Sequence, residues 1–313
     1  MKKSFLLFCL LTLSGFSVFS QQASPTPVLY GPETLEGMKR VQEFALKSDY
    51  ALRQTAFMTN NIGPRLSGSP QAARAVEYVA DQMRRLGLEV RLQELKVPHW
   101  VRGEEKGELV RFEGMAAGTT QKIALTALGG SVATPADGLT ADVVVVESFE
   151  ELEKLGREKV QGKIVLFNYK FDRELAASGF GGNAYGMASQ YRGGAAIAAA
   201  RLGAVAALVR SAGGSQNRLP HTGGMRYEEN VPKIPGAAVA YEDAELIAHL
   251  AKEGAVRMRL VLTPQTFPEA TSYNVIADLK GTEKPDEIVV VSGHLDSWDL
   301  GTGALDDAVG VAM

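Results

Sequence analysis

The chain has 313 residues, 45% of them hydrophobic and 22% charged, an ordinary globular composition with enough length for two cores. Its 33 basic and 36 acidic residues leave a net charge of −3, which gives no basic surface for nucleic acid or an anionic membrane. The single cysteine, Cys9, lies close to the N-terminus, so disulfides and thiolate metal sites are excluded from everything after it.

Lys2 and Lys3 precede an apolar run from Phe5 to Leu13, and Val18 and Ser20 supply the small residues of a cleavage site before Gln21. This reads as a secretory signal peptide over residues 1–20, and the expected location is secreted or periplasmic. The apolar run is too short to span a bilayer, and no later stretch has transmembrane character, so no membrane partner is expected.

Residues 34–60 are expected to be helical, with Leu35, Met38, Val41, Ala45 and Leu46 on one stripe. The segment GPRLSGS at 63–69 breaks that pattern as a loop. From Pro70 to Leu86, Ala72, Val76, Val79, Ala80, Met83 and Leu86 recur with helical period; Pro70 sits at the start and Gly87 just past the end. Residues 89–97 alternate as a strand.

The character then changes. Between 120 and 265 lie short β-rich runs at 123–128, 143–146, 163–167, 204–209, 236–240 and 256–262. Helices are expected near Phe149–Leu155, Ala195–Leu202 and Asp243–Lys252, so this stretch reads as an α/β domain of its own. Strands at Ser272–Leu279 and Glu287–Ser292 then resume. The order is that of an insertion: residues 21–119 open one domain, 120–265 interrupt it, and 266–313 return to it.

The last 25 residues read VVVSGHLDSWDLGTGALDDAVGVAM. An apolar strand is expected to deliver His294 at its carboxyl end, where catalytic groups gather in open α/β sheets. His294 and Asp306 are the right types to ligate zinc, and a carboxylate can bridge two cations about 3.5–4 Å apart. Asp296 is the right type to hold a ligating imidazole from behind. Gly301 and Gly303 let the backbone turn and bring Asp306 back.

GHLDSWDLGTGALDDAVG resembles the first metal-binding motif of the co-catalytic zinc aminopeptidase and glutamate carboxypeptidase superfamily. GPRLSGS, PHWVRGEE at 98–105, GKIVLFN at 162–168, PHTG at 220–223 and VPKIPGAAVAYEDAE at 231–245 extend the resemblance to its carboxypeptidase Q branch. The resemblance implies a fold class of α/β type: the start of a zinc-exopeptidase mixed-sheet domain interrupted by a protease-associated insert. It also implies that His294 ligates one zinc, Asp306 bridges two, Asp296 supports His294, and the Asp306–Asp307 peptide is cis. The implied activity is hydrolysis of small peptides, dipeptides above all, by two zinc ions per complete site and an activated water, in a possible homodimer. The general base and remaining ligands are then expected beyond Met313. The competing expectation is a secreted, non-catalytic binding module built on the insert.

Four weaker signals accompany these. GFGGNA at 179–184 fits a dinucleotide fingerprint only formally and is expected to be a flexible loop. His99 and His221 each sit beside a proline and are read as ordinary loop histidines, with a place on the wall of a substrate cleft as the alternative, and His249 is read as a structural helix residue. Arg65 is expected to pin its loop to the later half of the catalytic domain rather than to bind a peptide carboxylate. The charged stretch Glu147–Lys159 is expected to be a solvated helix face.

Overall fold

The computed structural model describes residues 30–313. The signal-peptide reading and Cys9 therefore lie outside the described residues. In chain order the elements are α1 (Pro32–Lys47), α2 (Tyr50–Phe57), α3 (Pro70–Arg85), β1 (Glu89–Val101), β2 (Glu105–Arg111), β3 (Gln121–Ile123), β4 (Leu125–Ala127) and β5 (Leu139–Val146). There follow α4 (Phe149–Val160), β6 (Ile164–Phe167), α5 (Arg173–Leu175), α6 (Gly181–Arg201), β7 (Ala206–Arg210), β8 (Gly236–Val239), α7 (Tyr241–Glu253), β9 (Arg257–Leu262), β10 (Gln265–Asp278) and α8 (Val309–Ala312). No helix among the described residues is long and apolar enough to cross a membrane.

Helix α1 starts at Pro32, where a missing N–H costs nothing, and Lys47 complements its last turn. The expected stripe is present, but no residue of α1 is buried. Helix α3 is capped by Ser69, whose hydroxyl accepts from the Ala72 N–H at 3.1 Å, and it buries Ala72, Ala75, Val76, Val79 and Ala80.

An eight-stranded sheet follows the order β3-β2-β9-β5-β6-β7-β8-β4. Its centre, β5 to β8, is parallel. Strands β6, β7 and β8 are buried at every position, which is why they read as unbroken apolar runs rather than alternations. Antiparallel β9 alternates instead, burying Met258, Leu260 and Leu262. Helix α7 covers one face through Ala244, Ile247 and Leu250. Helices α4 and α6 cover the other, with Leu152, Val160, Tyr191 and Ala195 against Val165 and Phe167. Each fully buried Ile or Leu here contributes about 1.5–3 kcal/mol.

Four expectations change. The sheet takes in β2, which the alternation did not reveal because Gly107 occupies an inward position: a Cβ there would collide with Leu125. GFGGNA is not wholly a loop, since Gly181 to Ala184 form the first turn of α6. His99 lies not in a loop but in β1, just past a register break at Pro98, where proline's missing donor is tolerated. Finally, 287–292 form no strand. Ile288, Val289, Val290 and Val291 are 79–92% exposed. A strand exists only as part of a ladder, and none of the described strands runs beside this segment.

The long antiparallel pair β1–β10 forms its own two-stranded sheet. A small third core of Met58, Val79, Ala308 and Ala312 gathers α3, α8 and the segment after α2. It seats the chain end that carries His294 and Asp306.

Candidate metal centre

His294 is placed by three contacts. Its backbone N–H donates to Asp307 Oδ2 at 3.2 Å, its Nδ1 lies 3.0 Å from the Asp296 carbonyl, and its Nε2 lies 2.7 Å from Asp306 Oδ1. The His294–Asp306 pair suggested by residue type alone is therefore in contact. The wide turn Ala304–Ala308 makes this possible: Gly303 enters it left-handed at φ 58°, and Asp306 and Asp307 leave helical geometry. A Cβ on Gly303 would also overlap Ser297 and Arg65, so the position requires glycine twice over. The Asp306–Asp307 peptide is cis.

Asp296 sits differently from the expectation. The backbone carbonyl makes the shorter contact to Nδ1, and the carboxylate Oδ1 stands at 3.3 Å. The other oxygen, Oδ2, accepts from the Ser67 hydroxyl at 2.7 Å. Ser67 thus ties GPRLSGS to the site, a role that no spacing rule announces. Burial works against a charged His294 imidazole. The bonds to Asp296 and Asp306 and the two carboxylate charges outweigh it, so the imidazole is held above its ordinary range.

The same loop is fixed by Arg65, which is fully buried. Its Nε donates to the Leu295 carbonyl at 2.9 Å, Nη1 to Gly63 at 2.9 Å and Thr302 at 2.7 Å, and Nη2 to Gly303 at 3.0 Å. The pinning role read from sequence is what this geometry performs; every acceptor is a backbone carbonyl. Burial lowers the affinity of the guanidinium for its proton, and Asp296 partly restores it.

The insert-side wall is joined to the site segment by Arg102 and Trp298. Arg102 grips Asp299 with Nε at 2.7 Å and Nη2 at 2.6 Å, and holds Glu105 at 2.9 Å through Nη1. Trp298 lies on Gly129 and Gly224, and a Cβ on Gly129 would run into its indole. The result is a cleft of about 600 Å³ lined by Leu66, Ser67, Trp100, Met225, His294 and Asp306. A smaller pocket of about 300 Å³ adjoins it, with Tyr185, Arg192, His221 and Thr222 on its wall and Asp306 shared. Of the two histidines set aside as loop residues, His221 lines this pocket. His99 is remote in role and packs its ring 5.0 Å from Phe267. His249 pairs with Glu253 at 3.3 Å along α7.

The donor chemistry suits zinc: one imidazole nitrogen and one carboxylate oxygen converge on the cleft. Their number is short. Among the described residues no group of three or more His, Cys, Asp or Glu side chains gathers to hold a metal.

Two family models match parts of the chain. Residues 107–247 match the PA domain family and residues 274–313 match Peptidase family M28. Carboxypeptidase Q from Bos taurus is 40% identical over 257 residues, 82% of this chain and 51% of the relative; the Homo sapiens protein is 38% identical over the same shares. The crystal structure of a Peptidase M28 precursor from Shewanella amazonensis SB2B superposes with a TM-score of 0.80 at 38% identity, covering 87% of this chain and 60% of that one. A zinc aminopeptidase from Bacillus subtilis, 23% identical with a TM-score of 0.57, shares the fold. The chain spans about half the length of the curated relatives it matches. It is similar to carboxypeptidase Q over most of its own length, with a PA domain match and a Peptidase family M28 match in a mixed α/β fold.

Proposed function

We propose that this chain is the N-terminal portion of an exported zinc-dependent exopeptidase that hydrolyses small peptides, dipeptides in particular. The observation that carries the reading is the 2.7 Å approach of His294 Nε2 to Asp306 Oδ1 on the cleft wall. The similarity to carboxypeptidase Q supports a peptidase, and the metal named for the Bacillus subtilis aminopeptidase supports zinc. When bound, zinc supplies an acidified water and a Lewis acid beside the scissile carbonyl. His294 and Asp306 are the residues that would hold it. The Asp296 carbonyl and carboxylate fix the Nδ1 side of the ring, which leaves Nε2 as the donor atom. Ser67 orients Asp296 in turn. Trp100, Met225 and Trp298 give the cleft apolar walls that keep bulk water from the carbonyl. Zinc takes four ligands in such sites. The others, with a second zinc and the general base, come from the half of the relatives' length that this chain does not span. Residues 1–20 direct export, the 120–265 region acts as the insert that walls the cleft, and two copies pair as a homodimer.

The test is hydrolysis of dipeptides by the zinc-loaded longer protein of which this chain is the N-terminal portion, before and after chelation, beside His294→Ala and Asp306→Ala; the 313 residues alone, without the general base, should show no turnover. Chelation and either substitution are expected to abolish turnover, with zinc restoring only the unsubstituted protein. Activity that survives chelation would refute a metal mechanism.

A further inference from the structure

The stretch between His294 and Asp306 is held by two buried arginines. Arg65 takes backbone carbonyls at Leu295, Thr302 and Gly303. Arg102, only 9% exposed, takes the one carboxylate in the middle, Asp299, with Nε on Oδ2 and Nη2 on Oδ1. That two-pronged grip fixes orientation as well as distance. Arg102 also reaches the opposite wall. Its Nη1 donates to the Thr126 hydroxyl at 2.6 Å and the Ala127 carbonyl at 2.5 Å, and its Nη2 to the Thr222 hydroxyl at 3.1 Å. Thr126, Ala127 and Thr222 all fall within the residues that match the PA domain. One guanidinium therefore spans from the insert to the metal-bearing stretch.

The backbone keeps Arg102 in place. It stands where the chain crosses from β1 into the eight-stranded sheet. The next residue, Gly103, is left-handed at φ 97°, and a Cβ on it would run into the carbonyl of Thr263, where the chain crosses back between β9 and β10. The Glu104 N–H donates to Thr263 Oγ1 at 2.7 Å, and the Thr263 N–H donates to the Glu104 carbonyl at 3.0 Å. The two crossings are tied to each other beside the arginine. Burial works against the guanidinium's proton, but the bonds to Asp299 and Glu105 outweigh it and hold the charge. Of these two carboxylates only Asp299 belongs to the metal-bearing stretch; Glu105 opens β2 and turns back onto Thr126 and the Ala127 N–H. Next to Asp299, Trp298 lies on Gly129 and Gly224 of the insert.

We infer that Arg102 is a positioning residue for the metal centre, acting through Asp299 to set the His294–Asp306 stretch against the insert. It touches neither metal nor substrate. The inference rests on the zinc reading and deepens it: the insert takes part in shaping the metal site as well as walling the cleft.

The experiment compares Asp299→Asn, Glu105→Gln and Arg102→Gln in the longer protein of which this chain is the N-terminal portion. Zinc affinity is read by competition with a chelating dye, hydrogen exchange over residues 295–303 by mass spectrometry, and folding by a thermal melt. Asp299→Asn is expected to weaken zinc about tenfold or more and to speed exchange over 295–303. Arg102→Gln should match it, and the double variant should lose no more zinc affinity than either alone, since both act through one contact. Glu105→Gln should lower the melting temperature while leaving zinc affinity and exchange over 295–303 unchanged. A merely structural joint would instead move the two carboxylate variants alike. Unchanged zinc affinity and exchange in folded Asp299→Asn would overturn the assignment, and so would equal zinc losses in Asp299→Asn and Glu105→Gln. Asp299→Asn keeps the test decisive even where Arg102→Gln fails to fold. The two readings fail separately: an unsubstituted protein that binds no zinc sinks the metal reading, and exchange over 295–303 still decides whether Arg102 positions the stretch.

Discussion

Arg65 shows how one side chain can organise a site without touching a ligand. It gathers carbonyls from Gly63, Leu295, Thr302 and Gly303 around one buried guanidinium, which would be left unsatisfied without them. Arg65→Met should therefore lower stability by about 3 kcal/mol or more, read from the urea midpoint. Arg65→Lys should rescue little, because one ammonium cannot reach carbonyls spread around a planar fork. Asp296→Asn tests the support of the imidazole: zinc affinity should fall about 10–100-fold in a competition titration, and an unchanged affinity would leave the backbone carbonyl as sufficient. His221 gives a pH signature. Its folded form resists protonation, so the unfolded chain takes up a proton first as pH falls through about 6.5. Stability should drop across that window and level off below the depressed folded value; His221→Gln should flatten this part of the curve in urea titrations at stepped pH.

At the scale of elements, legibility followed the kind of burial each segment experiences. Helix α3 was readable because its apolar positions keep helical period and both ends carry end signals. The parallel strands β6 and β7 were readable because burial on both faces demands continuous apolar residues. Helix α6 was seen only over its last turns. Its buried set, Ala184, Ala188, Tyr191, Ala195 and Ala199, is spaced for one face, but alanine and glycine also fill the exposed positions and erase the contrast. At the site, residue types and spacing pointed to His294, Asp296 and Asp306. Ser67 stayed hidden, since its role depends on a contact across 229 residues of chain. The run 288–291 has strand composition without a ladder. Such an exposed apolar segment promotes association. Val290→Lys should raise the concentration at which light scattering appears while leaving the urea midpoint unchanged.

At the scale of the molecule, the eight-stranded sheet and the segment carrying His294 meet through a few specific contacts rather than a broad apolar seam. Arg102 with Asp299 supplies the charge, and Trp298 on Gly129 and Gly224 supplies the fit. The sequence holds only two tryptophans, Trp100 and Trp298, and both line this cleft. Trp100 is nearly enclosed at 7% exposure and Trp298 is open at 37%. The protein therefore carries its own optical gauge: ultraviolet emission excited at the indole band arises from this cleft alone, and an arriving peptide or metal can be followed with no dye attached.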